Sequence, residues 1–273
     1  MRRLRTTSTR RLLTILACAA ALAATAVIAQ AALAGSGPLP SPKALARAIQ
    51  DAFAAPAPEG VTARISFTNT LLPSGSLPGT SSALTAGGDG RLWIAKDGRL
   101  RLELQSGSGD AQITADDRQI TVFDSSSNTV YRAALPRAPA GAKQRERTRA
   151  NPSVAKIQEV LDRLARSWTV SGADPTSTAG QPTYTARIAP KEHGGLLGAA
   201  EVAWDAVTGV PLRAAVYARG RSRPVLELRA TDVSYDAVAD SDVTTTPPPD
   251  AKVVDLGAKG SPARAGGPTH PRR

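Results

Sequence analysis

Apolar and polar residues alternate with two distinct periods along this chain, after an opening run that shows neither. Leu12 to Ala34 carries no charge and follows Arg2, Arg3, Arg5, Arg10 and Arg11. A run of that length spans a bilayer as a helix. The arginines hold to the cytoplasmic side, which sends residue 35 onward across the membrane. Ala29-Gln30-Ala31 and Ala32-Leu33-Ala34 both have the small-x-small form of a peptidase site, so residues 1–34 read as a signal peptide or a membrane anchor. Residues 35–41, rich in Gly, Ser and Pro, read as a linker. A short helix follows, with Ser41 as its cap, Pro42 at its first position, and Leu45, Ile49 and Phe53 along one stripe. The Ala-Pro-Ala-Pro stretch at 55–58 ends it.

From Val61 to Arg132 the period becomes two, that of strands with one buried face. Leu100, Leu102 and Leu104 alternate with Arg99, Arg101, Glu103 and Gln105; Ile113, then Ile120 and Val122, alternate with Gln and Thr. Asp97-Gly98 predicts a type I′ hairpin turn, while Ser106–Asp110 and Asp124–Asn128 supply Gly, Ser and Asx turns. Residues 135–150 are Pro-, Ala- and Arg-rich without a period and read as a solvated loop. A second helix is predicted from Pro152 to about Ser167, capped by Asn151, with Val154, Ile157, Leu161, Leu164 and Trp168 on one face. Four further strands are expected over Thr183–Ala189, Ala200–Trp204, Leu212–Ala218 and Val225–Tyr235. Residues 42–240 thus form one domain, and 241–273 read as a disordered basic tail.

Charge sharpens this picture. The formal net charge of +11 would suggest nucleic acid, but it resides in residues 1–11, in the loop at 137–149 and in the last residues, leaving the body near neutral. Nucleic acid is therefore not an expected partner, and no aromatic platform supports it. The single cysteine, Cys18, lies in the apolar run; the run continues beyond it, where a lipoprotein acylation site would turn polar. Disulfides and Cys-based metal sites are excluded from the domain. His193 and His270 stand apart with no second ligand, and Asp236, Asp240 and Asp242 lack the spacing and glycine of a calcium loop. Ser153-Val154-Ala155-Lys156 has the Ser-x-x-Lys spacing of penicillin-recognising enzymes, but Ser241-Asp242-Val243 replaces the second motif and no Lys-Thr-Gly follows. The chain is expected to be no enzyme and to carry no cofactor or metal.

Periodicity leaves two folds open, a sandwich or a sheet curved around its helices. Resemblance chooses between them. Gly88-Asp89-Gly90-Arg91-Leu92-Trp93, Asp97 to Leu104 and Asn128-Thr129-Val130-Tyr131-Arg132 resemble the first half of the lipoprotein-sorting (LolA-like) superfamily. Tyr184 to Ile188, Ala203-Trp204-Asp205, Thr208 to Arg213 and Val225 to Leu228 resemble its second half. The resemblance implies a mainly β fold with helices (α+β): an incomplete β-barrel whose bent antiparallel sheet encloses helices. The superfamily includes lipoprotein carriers, lipid-binding proteins of the LprG and LppX type, and RseB- or MucB-like regulators. It implies a lipid or acylated lipoprotein as ligand, the cytoplasmic membrane as neighbour and, in the regulatory reading, an anti-sigma factor as partner. By alternation Leu102, Leu104, Ile113, Val122, Val216, Leu226 and Leu228 point to the inner side, where helices rich in alanine cover them thinly. The resemblance implies that they bind an acyl chain; the alternative is a dry, fully packed core.

Overall fold

The alternation of Leu100, Leu102 and Leu104 with charged residues produces a strand with one apolar face, and among the described residues it pairs into one sheet of 13 strands. The computed structural model describes residues 37–71, 83–135, 151–192 and 194–256. The arginine cluster and uncharged run, Cys18, most of the basic loop, His193 and the last residues lie outside these segments. Among the described residues no helix is long and apolar enough to cross a membrane.

The first half is an antiparallel meander: β1 (Gly60–Asn69), β2 (Gly88–Ala95), β3 (Leu100–Gln105), β4 (Ala111–Ala115), β5 (Gln119–Asp124) and β6 (Thr129–Ala134). The second half contains β7 (Trp168–Val170), β8 (Asp174–Thr178), β9 (Gln181–Pro190), β10 (Leu197–Asp205), β11 (Pro211–Ala218) and β12 (Leu226–Ser234). β12 pairs with β1 and joins the halves. β7 and β8 share the outer edge of β9, and β13 (Lys252–Asp255) adds in parallel to β6. The sheet runs from β13 to β7 without its ends pairing, so it is unclosed, in keeping with an incomplete barrel.

Among the described residues four helices accompany it: α1 (Leu45–Ala54), α2 (Ala83–Ala86), α3 (Val154–Leu164) and α4 (Asp240–Val243). Leu45, Ala46 and Ile49 of α1 and Ile157 and Leu161 of α3 pack with Val170, Tyr184, Ile188, Val202 and Trp204 in the main core. A second core gathers Ala63, Ile65, Leu104, Leu212 and Ala230 around Ala83 of α2.

Several local expectations are corrected. Helix α1 starts at Leu45, not Pro42, because residues before it run extended along the domain: Lys43 bridges to Ala173, and the Ser41 carbonyl accepts the Tyr184 hydroxyl at 2.6 Å. Gly37 packs on Ser177, so the linker touches the domain there as well as at Ser41. Phe53 is 55% exposed, and the alanines of α1 supply the packing face in its place. Helix α3 is capped by Ser153, whose Oγ accepts the Lys156 amide, rather than by Asn151. The turn at Asp97-Gly98 is not type I′, which needs positive φ at both central residues. Gly98 alone has positive φ (90°), its amide donates to the Ala95 carbonyl, and Asp97 Oδ1 accepts the Arg99 amide. Residues 241–256, expected within the tail, hold the rest of α4 and strand β13. Asp240 of α4 pairs with Arg99, and β13 is anchored where Asn128 donates to Asp250.

Candidate functional site

Directly paired residues of neighbouring strands project to the same side of a sheet, so the registers decide which apolar residues meet. One row runs Ala63, Leu92, Leu102, Ile113, Val122, Tyr131, Val254 across seven strands. A second runs Leu226, Val216, Ala200, Ile188, Val170. Between them lie Leu104, beside Gly90, and Leu228, beside Phe67. The two rows belong to one face, because Leu228 pairs with Phe67 on the strand that also carries Ala63. All seven residues singled out by alternation therefore stand on the face that bears α1 and α3.

Their surroundings differ. Leu104 is 2% exposed and belongs to the second core, with Leu102 and Leu228 packed against it. Ile113, Val122, Val216 and Leu226 are half-buried and belong to none of the core clusters. The helices cover the face unevenly. α1 and α3 pack on each other and over β7, β9 and β10, whereas among the described residues the meander half carries α2, one turn long, whose main contacts are with β1 and β3. β4, β5 and β6 thus present Ile113, Val122 and Tyr131 beyond the described helical cover. Under that cover Trp204 stacks obliquely on Tyr184, ring centroids 6.1 Å apart, and its buried indole N–H has no hydrogen-bond partner among the described residues.

The opposite face is polar. On β9 to β12, Arg213 donates Nε to Glu227 (2.5 Å), Nη1 to Glu201 (2.8 Å) and Nη2 to the Tyr217 hydroxyl (2.8 Å). Tyr217 donates in turn to Glu201, which also pairs with Arg187, and the Arg187 guanidinium lies 4.6 Å from the Tyr217 ring centre. Burial alone would raise Glu201, but the hydrogen bonds from Arg213, Tyr217 and Arg187 outweigh it and hold its carboxyl below the ordinary range. Burial is also the chief cause that pushes Tyr217 up. Every acid here has a basic partner, so the network locks strands together and offers no spare acid–base group. Sequence reading missed it, because Glu201, Arg213, Tyr217 and Glu227 meet through register alone.

The Ser-x-x-Lys string is used structurally: Ser153 caps α3, and Lys156 Nζ lies 2.6 Å from Glu159. Of the aspartates, Asp236 accepts from Ser234 and Asp240 pairs with Arg99; among the described residues no cluster of ligand side chains has the geometry of a metal site. A groove of about 600 Å³ beside the β8–β9 turn has a mixed lining, with Ala179 and Ala230 beside Ser66, Ser177, Glu227 and Arg229.

No family model matches the chain, and no curated protein matches it. Solved structures do. It is similar to an uncharacterised conserved protein from Thermus thermophilus, with 9% identity, 77% of this chain and 97% of that one covered, and a TM-score of 0.46. It is similar to MucB in the Pseudomonas aeruginosa MucA/MucB complex, with 15% identity, 74% of this chain and 60% of that one covered, and a TM-score of 0.39. A LolA superfamily protein from Nitrosomonas europaea is a third, at 10% identity, 74% and 98% coverage and a TM-score of 0.28.

Proposed function

We propose that the chain is a non-enzymatic protein of the cell envelope that holds a lipid or lipoprotein acyl chain against the apolar face of its sheet, for transport or sensing. The reading is supported above all by the row Leu102, Ile113, Val122, which prolongs the packed core onto strands where the described helices provide no cover. An acyl chain laid along that row gains about 0.8 kcal/mol for each methylene removed from water. Ten methylenes bring roughly 8 kcal/mol before the cost of ordering the chain, enough for micromolar or weaker affinity. Export follows from the five arginines ahead of an uncharged run of membrane length.

The test is mass spectrometry of what co-purifies with the full chain extracted from native membranes. Stoichiometric lipid or acylated protein in the wild type, lost in Val122→Trp at unchanged melting temperature, supports the reading. No lipid in the wild type, together with an anti-sigma protein retained in its place, overturns it in favour of regulatory docking.

A further inference from the structure

The turns that join β9 to β10 and β11 to β12 lie side by side at one end of the sheet, because Leu197 pairs with Ala218. They are stitched together where the Arg219 amide donates to the Leu196 carbonyl at 2.8 Å. Gly198 permits this approach: a Cβ there would stand 2.7 Å from the Ala218 carbonyl oxygen. The resulting tip exposes Lys191, Arg219, Arg221 and Arg223 against the single acid Glu192, with exposed Arg166 close by, since the Lys191 amide donates to the Ser167 carbonyl. Arg221 and Arg223 make no ion pair among the described residues. On the same tip Leu196 is 90% exposed, the most exposed of the large apolar side chains described. Between Leu197, Ala218, Arg219 and Arg221 lies a cleft of about 230 Å³.

A basic loop and a single exposed leucine are each ordinary on a protein surface; what distinguishes this tip is that the two occur together, Leu196 being bonded through its carbonyl to Arg219. An interfacial anchor needs both, with an apolar side chain to enter the acyl boundary and cations to meet the headgroups. From this pairing we infer that the β9–β10 and β11–β12 tip docks on an anionic lipid surface, Leu196 entering the interface and the arginines contacting phosphate. The inference is independent of the acyl-chain site, which lies on the sheet face and not on its turns.

The experiment uses the full chain in a Cys18→Ser background, reconstituted into vesicles, with an environment-sensitive dye on Ser222→Cys at the tip or on Asp117→Cys in the turn between β4 and β5 at the opposite end. With phosphatidylglycerol–phosphatidylcholine vesicles the tip dye shifts to the blue and the Asp117 dye does not. With phosphatidylcholine alone, or in about 0.5 M salt, where charges are screened within a few ångströms, the tip shift is lost. Arg221→Gln with Arg223→Gln weakens tip contact about 25-fold, at roughly fivefold per cation near such a surface. Leu196→Ser weakens it about tenfold, the worth of burying one leucine. Stripping bound lipid from the protein beforehand leaves these results unchanged, which separates them from the acyl-chain reading. A tip dye that stays in water on anionic vesicles, or shifts no more than the Asp117 dye, overturns the inference.

Discussion

At the scale of single residues, the polar face shows how burial and pairing compete. Glu201 has a side chain 15% exposed and is held by Arg213, Arg187 and Tyr217. Because its folded-state pKa is depressed, it contributes stability that is fully present above the unfolded value of about 4.3 and lost as pH falls through the folded value. Glu201→Gln should therefore cost roughly 2 kcal/mol at neutral pH, below the 3–5 kcal/mol or so of a fully enclosed pair. Chemical denaturation across pH checks the sign: the gap between variant and wild type must shrink below about pH 4. A gap that stays constant down to pH 3 would place the loss in packing, not charge. None of this was legible from the residues in order. Glu201 and Arg213 are twelve positions apart and read as ordinary solvated charges until the β10–β11 register puts Glu201 opposite Ala215 and frees its carboxylate to meet Arg213.

Elements differ in how plainly local physics announces them. The meander was readable because its strands keep one face apolar and its turns contain Asp, Gly and Ser; helix α3 was readable from the spacing of Ile157, Leu161 and Leu164. β8 was not, since it is held by a hydroxyl ladder in which Thr176 lies 2.8 Å from Thr183 and 2.7 Å from Thr185, a pattern without hydrophobic alternation. β13 is a four-residue parallel addition whose existence depends on β6 being in place. Two measurements bear on this scale. Ser153→Ala removes the cap of α3 and should cost about 1 kcal/mol in chemical denaturation while leaving any co-purified lipid in place, since the hydroxyl works on the helix and not on a ligand. A chain ending at Leu256 should melt with the full chain, whereas one ending at Ala251 loses β13 and should melt a few degrees lower, at roughly 2–4 °C per kcal/mol for a domain of this size. Equal melting of both truncations would mean that the parallel pairing contributes nothing measurable.

For the whole molecule the question is whether the apolar face is filled or open, and here the sequence carried the set of residues but not their inequality. Alternation marks Leu104 and Ile113 alike as inward-facing; only the paired registers and the placement of α2 show that Leu104 is enclosed by Ile65, Ala111 and Ala83 while Ile113 lies outside any core cluster. That inequality predicts a graded response to bulk. Leu104→Trp forces extra volume into packed surroundings and should destabilise by about 1–3 kcal/mol. Ile113→Trp and Val216→Phe, at half-buried positions outside the clusters, should change stability by less than about 1 kcal/mol and displace whatever acyl chain lies along their rows. Denaturant midpoints and lipid content measured on the same three variants separate the possibilities. If all three destabilise alike, the face is a dry core and the acyl-chain reading fails. If the latter two keep their midpoints and still carry lipid, the ligand lies elsewhere on the molecule. Stable variants stripped of lipid, beside a destabilised Leu104→Trp, are the outcome expected of a sheet whose described helices cover β7, β9 and β10 and leave β4 and β11 to a ligand.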